Sequence, residues 1–217
     1  DFLPPRILEK LRGTRVLDFG CGAGFYTQYL QKNGVEAFGI DVDPKAIEYL
    51  KSQGQEAYTG DLATIKKHKF DHIICIGVIE HFEQPDRVVK AFAESLSKNG
   101  LLILAYPNIS SFTNWNSTRK KLPWDMFCEP GHYTFYSKKA INQVAQRLGF
   151  SIISRWTSSH VGRGKRFMSP GRDAFKEQKL KTKLASSKIR RVLYKILPKF
   201  LDLLKIGDIN VVLFKKK

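Results

Sequence analysis

Residues 18–24, Asp-Phe-Gly-Cys-Gly-Ala-Gly, set three glycines beside an acid at the end of a short apolar run, Val16, Leu17 and Phe19. The run reads as a buried strand. From Phe25 the apolar residues Phe25, Tyr26, Tyr29 and Leu30 take helical spacing. A strand, a glycine turn and a helix in that order bring backbone N–H groups and a helix N-terminus up to a ligand. Glycine suits the turn because a Cβ would block its backbone conformation or the ligand's approach. The dinucleotide fingerprint G-x-G-x-x-G needs a glycine where Phe25 stands, and Asp18 adds an acid inside the strand, so a nicotinamide cofactor is not expected. Asp41 ends the next apolar run, Ala37–Ile40, about 20 residues after the turn, where a carboxylate receives a ribose hydroxyl pair. The competing role for such an acid is to cap the following helix. Asp43, followed by Pro44, fills that role better, which leaves Asp41 for a ligand.

Two of the five histidines, His81 and His132, fall by pattern at the same edge. Near neutral pH an imidazole takes a proton from a weakly acidic nucleophile such as a hydroxyl. Either ring is therefore a candidate base. The alternatives are that His81 packs beside a ligand and that His132 anchors a loop.

These residues need a scaffold that gathers them. A lead-in helix with Ile7, Leu8 and Leu11 precedes the first strand. Ala57 to Leu62 reads as a third strand ending in an acid, Asp61. Phe70 to Gly77 is a near-continuous apolar run, as expected of a strand buried on both faces of a parallel sheet. His72, at its start, is expected on the surface, and Val78 to Phe82 at its end. A helix opened by Pro85 and stopped by Asn99-Gly100 leads to a fifth strand, Leu101–Tyr106. Strict alternation to this point predicts an α/β doubly wound sheet. Residues 107–131 break it with Trp115, Trp124 and Pro130, and are expected to form a lid loop over the ligand edge. Ser137 then caps a helix, and Phe150–Trp156 is a strand.

The 217 residues are expected to form a single domain. The net charge of +17 is unevenly spread: residues 160–217 hold 17 Lys and Arg against 4 acids, leaving about +4 for the rest. That asymmetry points to an anionic partner, membrane or nucleic acid, or else to a solvated surface. Ile189, Val192, Leu193, Ile196, Phe200 and Leu204 recur at helical spacing beside Lys188, Arg191, Lys195 and Lys199. The pattern suits contact with an anionic membrane or a helix packed apolar side down. No run of about 18 apolar residues is present. Cys21, Cys75 and Cys128 suggest neither a disulfide framework nor a metal site, so a reducing, cytoplasmic setting and no metal are expected.

The stretch Val16-Leu17-Asp18-Phe19-Gly20-Cys21-Gly22-Ala23-Gly24 resembles V-L-D-x-G-C-G-x-G, motif I of the class I S-adenosylmethionine (SAM) methyltransferases. His132 through Phe150 resembles the H-x-x-F-[FY]-[ST]…G-F stretch of the ubiquinone- and polysaccharide-type small-molecule members, and Gly207–Phe214 their last, antiparallel strand. The resemblance implies a Rossmann-like seven-stranded sheet, mostly parallel with one antiparallel strand and helices on both faces. It leaves residues 157–206 as a basic, partly helical insertion. It implies SAM as cofactor, held by Asp18, Gly20, Cys21 and Gly22 at the turn and by Asp41 and Val42 at the ribose. Asp61 would approach the adenine amino group, with Leu62 and Ile76 completing the set. The stretch Ile76–Phe82 lacks the [DN]-P-P-[YFW] of many amino methyltransferases, which lowers the case for base N-methylation. The expected reaction is methyl transfer to a small or lipid-linked acceptor, on oxygen before nitrogen or carbon. The alternatives are an RNA methyltransferase tethered by its basic segment and a non-catalytic SAM-fold scaffold.

Overall fold

The computed structural model describes residues 3–127, 131–159 and 188–217, with side chains outside 188–195. Seven strands form one sheet: β1 Arg15–Phe19, β2 Glu36–Asp41, β3 Ala57–Thr59, β4 Phe70–Ile76, β5 Leu96–Pro107, β6 Phe150–Ser158 and β7 Ile209–Lys216. Their spatial order is β3-β2-β1-β4-β5-β7-β6. β1 to β5 pair in parallel, and β7 runs antiparallel to both β5 and β6. The first four strands therefore release their chains at one edge, and the order reverses between β1 and β4. Open α/β sheets bind ligands outside that point.

Side-chain alternation explains why the central strands read as unbroken apolar runs. Leu17, Phe19, Ile73, Cys75, Leu102 and Leu104 enter one buried cluster. Their neighbours Val16, Ile74, Leu101, Ile103 and Ala105 enter the other, on the opposite face. The first face is covered by helix α5, Pro85–Ser95, whose Phe92 meets Phe19 edge to face at 5.1 Å. The second receives α1, Pro5–Leu11, through Ile7, Leu8 and Leu11, and α2, Phe25–Lys32, through Tyr26 and Leu30. Among the described residues the other α-helices are α3 Pro44–Ser52, α4 Leu62–Ile65, α6 Phe112–Arg119, α7 Lys138–Arg147 and α8 Lys188–Leu203. Asp43 caps α3 by accepting from the Lys45 amide, and Ser137 caps α7 by accepting from Ala140, as their positions predict.

Several boundaries differ from expectation. β5 begins at Leu96, because α5 ends at Ser95 and Leu96 already pairs with Phe70. Asn99 takes a positive φ of 65°, and a Cβ on Gly100 would lie 2.6 Å from the Asp71 carbonyl oxygen, so Asn99-Gly100 turns the chain inside the strand. His72 is half-buried, its Nδ1 accepting the Leu101 amide at 3.0 Å. β3 stops at Thr59, short of Asp61. Residues 107–131 contain α6 as well as irregular chain. Within them Trp124 is buried and donates to Thr113 Oγ1, whereas Trp115 is 56% exposed. In the 157–206 stretch, residues 160–187 lie outside the description. α8 packs on β6 through Asp202, whose carboxylate accepts from Thr157 Oγ1 of β6 at 3.3 Å and from Ser159 Oγ, just past the strand, at 2.8 Å. Leu201 is buried there, while Ile196, Phe200, Leu203 and Leu204 are exposed.

Candidate functional site

The glycine turn is fixed from two sides. Gly20 and Cys21 donate to the Ile40 carbonyl at 2.7 and 3.1 Å, and Gly22 donates to Asp41 Oδ2 at 2.8 Å. Gly20 has φ +74°, and a Cβ there would meet Val78 Cγ2 at 2.3 Å. Only glycine allows both the left-handed backbone and that contact. Gly24, also at positive φ, starts α2 with Leu50 packed over it. Gly22 differs: its φ is +50°, yet a Cβ would meet nothing within 4 Å. The turn is packed at both ends and open in the middle, beside Asp41.

Asp41 is not free as its sequence position suggested. Oδ1 accepts the Asp43 amide at 3.0 Å while Oδ2 holds Gly22. Each carboxylate oxygen keeps a further lone pair, so the group can still receive a hydroxyl pair. Val42 beside it is 72% exposed. Asp18 is only 2% exposed and lies below the turn, accepting from Thr27 Oγ1 at 2.7 Å. Burial raises its carboxyl to about 7 against the stabilising Thr27 bond, with Asp41 adding a smaller upward push. Burial also pushes the Cys21 thiol up. Asp61 is exposed and caps α4: Oδ1 accepts the Ala63 and Thr64 amides at 2.9 and 3.2 Å, which holds its carboxyl below the ordinary range. Leu62, the first residue of α4, and Ile76, the last of β4, are half-buried against the two apolar clusters.

After β4 the chain makes a single 3₁₀ turn, Ile79–His81. The segment 131–134 lies along it. Glu80's carbonyl accepts the Tyr133 and Thr134 amides at 2.7 and 3.1 Å, and Phe82's accepts Thr134 Oγ1 at 3.1 Å. This pairing brings His81 and His132, 51 positions apart in sequence, to a ring separation of 4.7 Å. Nδ1 of His81 lies 2.6 Å from the Gly131 carbonyl, and Nδ1 of His132 lies 2.6 Å from that of Met126. Burial holds the His132 imidazole below its ordinary value, opposed by the Met126 carbonyl and assisted by His81. Glu80, next to His81 in the same turn and 3% exposed, is raised to about 7 by burial.

All the residues expected at the site lie at the carboxyl edge of the sheet, distributed over the ends of β1 to β4 and the 131–134 segment. Sequence reasoning missed Glu80, Thr27 and Gly39. A Cβ on Gly39 would approach Cys21 Sγ at 2.7 Å, and an isolated glycine inside a strand is a sign of such close approach. Glu80 carried a signal as well, as an acid adjoining a candidate histidine. Only burial makes it distinctive.

Residues 1–155 match the family model described as a methyltransferase domain. Ubiquinone biosynthesis O-methyltransferase of Xanthomonas oryzae pv. oryzae is 29% identical over 117 residues, 50% of this chain and 48% of that protein. The corresponding protein of Xylella fastidiosa is 31% identical over 117 residues, 50% of this chain and 47% of that one. The chain thus spans about half the length of the curated relatives it matches. Among solved structures, a SAM-dependent methyltransferase from Archaeoglobus fulgidus superposes with a TM-score of 0.65 at 17% identity, over 97% of this chain and 90% of that one. A magnesium protoporphyrin IX methyltransferase from Synechocystis with bound S-adenosylhomocysteine gives 0.62 at 18%, over 96% and 77%.

Proposed function

Because the chain belongs to the family of class I SAM-dependent methyltransferase domains, we propose that it transfers a methyl group from SAM to a hydroxyl oxygen of a small or lipid-linked acceptor. One observation carries the reading. The glycine turn and the histidine pair share one edge, where Gly20 packs against Val78, three residues before His81. The residues fit SAM. Gly22 presents open space, with the Asp41 carboxylate and the exposed Val42 beside it. Asp41 would receive the ribose hydroxyls and Gly22 would let the backbone approach. When bound, SAM supplies a methyl group on a positively charged sulfur, a good leaving group, so the protein has chiefly to position the reactants and exclude water.

The two imidazoles supply what a hydroxyl acceptor needs. With Nδ1 facing a carbonyl in each ring, Nε2 of the neutral ring is the atom left to accept a proton. The low proton affinity that burial gives His132 keeps it in that neutral form near pH 7. A lipid-linked acceptor is supported by the end of α8 and the turn after it, where Phe200, Leu203 and Leu204 are exposed, as are Lys199 and Lys205. The proposed setting is cytoplasmic, with α8 at an anionic membrane face. The O-methyltransferase relatives, at about half coverage, support the oxygen acceptor.

The test is transfer of labelled methyl from SAM to a panel of phenols, catechols and their prenylated forms, scored by S-adenosylhomocysteine release. Turnover on hydroxyl acceptors, reduced at least about a hundredfold in the His81→Ala, His132→Ala double variant, is expected. Transfer only to amines, or none with any acceptor, would overturn the proposal.

A further inference from the structure

We infer that Glu80, His81 and His132 form a site for a divalent transition-metal cation, held by two imidazole nitrogens and one carboxylate oxygen. One ligand atom from each lies within 4.8 Å of the other two, among the described residues. Three independent features of the site point to a cation.

The first is the direction of the rings. A carbonyl oxygen only accepts, so the 2.6 Å contacts to Gly131 and Met126 fix the proton on Nδ1 of both histidines. In the neutral ring Nε2 of each then carries the lone pair that an ion can take. Metal-bound histidines are oriented in this way, by giving the other ring N–H to a backbone carbonyl or carboxylate. The second is the carboxylate. Glu80 Oε2 is buried and has no hydrogen-bond partner among the described residues. A buried carboxylate oxygen without a donor is costly, and either a cation or a proton relieves that cost. The third is the frame. The Glu80 and Phe82 carbonyls receive three hydrogen bonds from Tyr133 and Thr134, which set the two ligand-bearing segments side by side before any ion arrives.

Metal–nitrogen and metal–oxygen bonds of about 2.0–2.2 Å put neighbouring ligand atoms in a tetrahedral site about 3.4 Å apart. The three groups, within 4.8 Å of one another before the ion enters, therefore close by up to about 1.4 Å. Two imidazoles favour zinc, iron, nickel or copper over magnesium, calcium and manganese, which suit oxygen ligands. Three protein ligands leave a position open, as catalytic metal sites do. This inference rests on the proposed methyl transfer only for its purpose. At the open position a Lewis acid would bind the acceptor's hydroxyl oxygen and ease loss of its proton to water, in place of the direct proton uptake by Nε2 that the metal-free pair would provide. The oxygen–carbon bond then forms as the sulfur–carbon bond breaks, and no oxidant or reductant is involved. The site argues against the expectation of a metal-free protein.

Titration of the full chain with Co²⁺, followed by optical absorption and by calorimetric stoichiometry, tests the inference. SAM is titrated into the same samples. One Co²⁺ per chain is expected, with the d–d bands of a nitrogen-ligated ion. Glu80→Gln and His132→Asn should each weaken it by more than about a hundredfold, since even an outer-shell partner is worth roughly ten- to a hundredfold. SAM affinity in both variants should stay that of the wild type, which also reports that they are folded. If either fails that control, His81→Asn replaces it. Absence of a saturable Co²⁺ site, or a site undiminished in the variants, overturns the inference. Co²⁺ binding of the expected kind without SAM binding would uphold the metal site and defeat the methyltransferase reading. SAM binding without Co²⁺ would do the reverse.

Discussion

Gly20 and Gly22 look interchangeable in the sequence and are not so in the fold. Alanine at either position must adopt a left-handed backbone, at about 1–2 kcal/mol. At Gly20 it must also displace Val78 from 2.3 Å, and overpacking adds about 1–3 kcal/mol. Urea denaturation should therefore find Gly20→Ala clearly more destabilising than Gly22→Ala. Equal losses would mean that the turn does not pack on β4's exit as described. Asp18 makes a prediction in pH. An unfolded aspartate titrates near 4, and burial raises this one to about 7 when folded. Between those values the folded chain keeps a proton that the unfolded chain has released. Stability from this group therefore falls as pH rises from about 4 to about 7, by up to about 1.4 kcal/mol per unit, and levels off above. Asp18→Asn should remove that slope. An identical pH profile in the variant would assign the proton elsewhere. The positions of Asp18 in β1, Asp41 at the end of β2 and His81 after β4 were legible in the sequence because residue type and spacing carry them. Their bonds were not: nothing local says that Asp41 spends a lone pair of each oxygen on backbone amides.

Elements were legible where one periodicity persisted and a cap marked the end, as in α3 with Asp43-Pro44 and α7 with Ser137. They were not where tertiary pairing overruled the turn signal. Asn99-Gly100 reads as a helix stop, but Leu96 pairs with Phe70 and carries the strand back past it. Helix α6 was hidden because, among its residues Phe112–Arg119, none is buried and no apolar stripe forms. Polar bonds hold it instead. Thr113 Oγ1 donates to the buried Asp208 at the head of β7 and accepts from Trp124 Nε1 at 3.2 Å. Ser111 Oγ, which accepts the Asn114 amide, can donate its own proton to the same Thr113 oxygen at 3.1 Å. Thr113→Val removes all three connections and leaves buried polar groups short of partners, at about 1–3 kcal/mol. Denaturation of Thr113→Val should show a loss in that range. A change within experimental error would indicate that α6 is held mainly by other contacts.

The chain builds a seven-stranded sheet with the candidate site on one edge and its surplus charge towards the C-terminus. The sheet could be foreseen, since apolar runs and helices alternate strictly through Tyr106. The meeting of His81 with His132 could not, because it depends on the 131–134 segment pairing with the exit of β4. At this scale α8 predicts sedimentation with anionic vesicles and not with neutral ones, weakened by salt as the Debye length falls from about 10 Å at 0.1 M to about 3 Å at 1 M. Phe200→Asp and Leu203→Asp should abolish it without loss of stability, because both side chains are exposed. Destabilisation by both, with no vesicle binding in the wild type, would mean that other parts of the chain cover this face. The central claim, that the glycine turn and Asp41 receive SAM, is tested most directly by calorimetric titration of the wild type and of Asp41→Ala with SAM. Saturable binding of one SAM per chain is predicted, weakened about tenfold to a hundredfold in the variant, as expected for charged hydrogen bonds worth roughly 1.5–3 kcal/mol. No SAM binding by the wild type, tighter binding of NADH, or an affinity untouched by Asp41→Ala would contradict it.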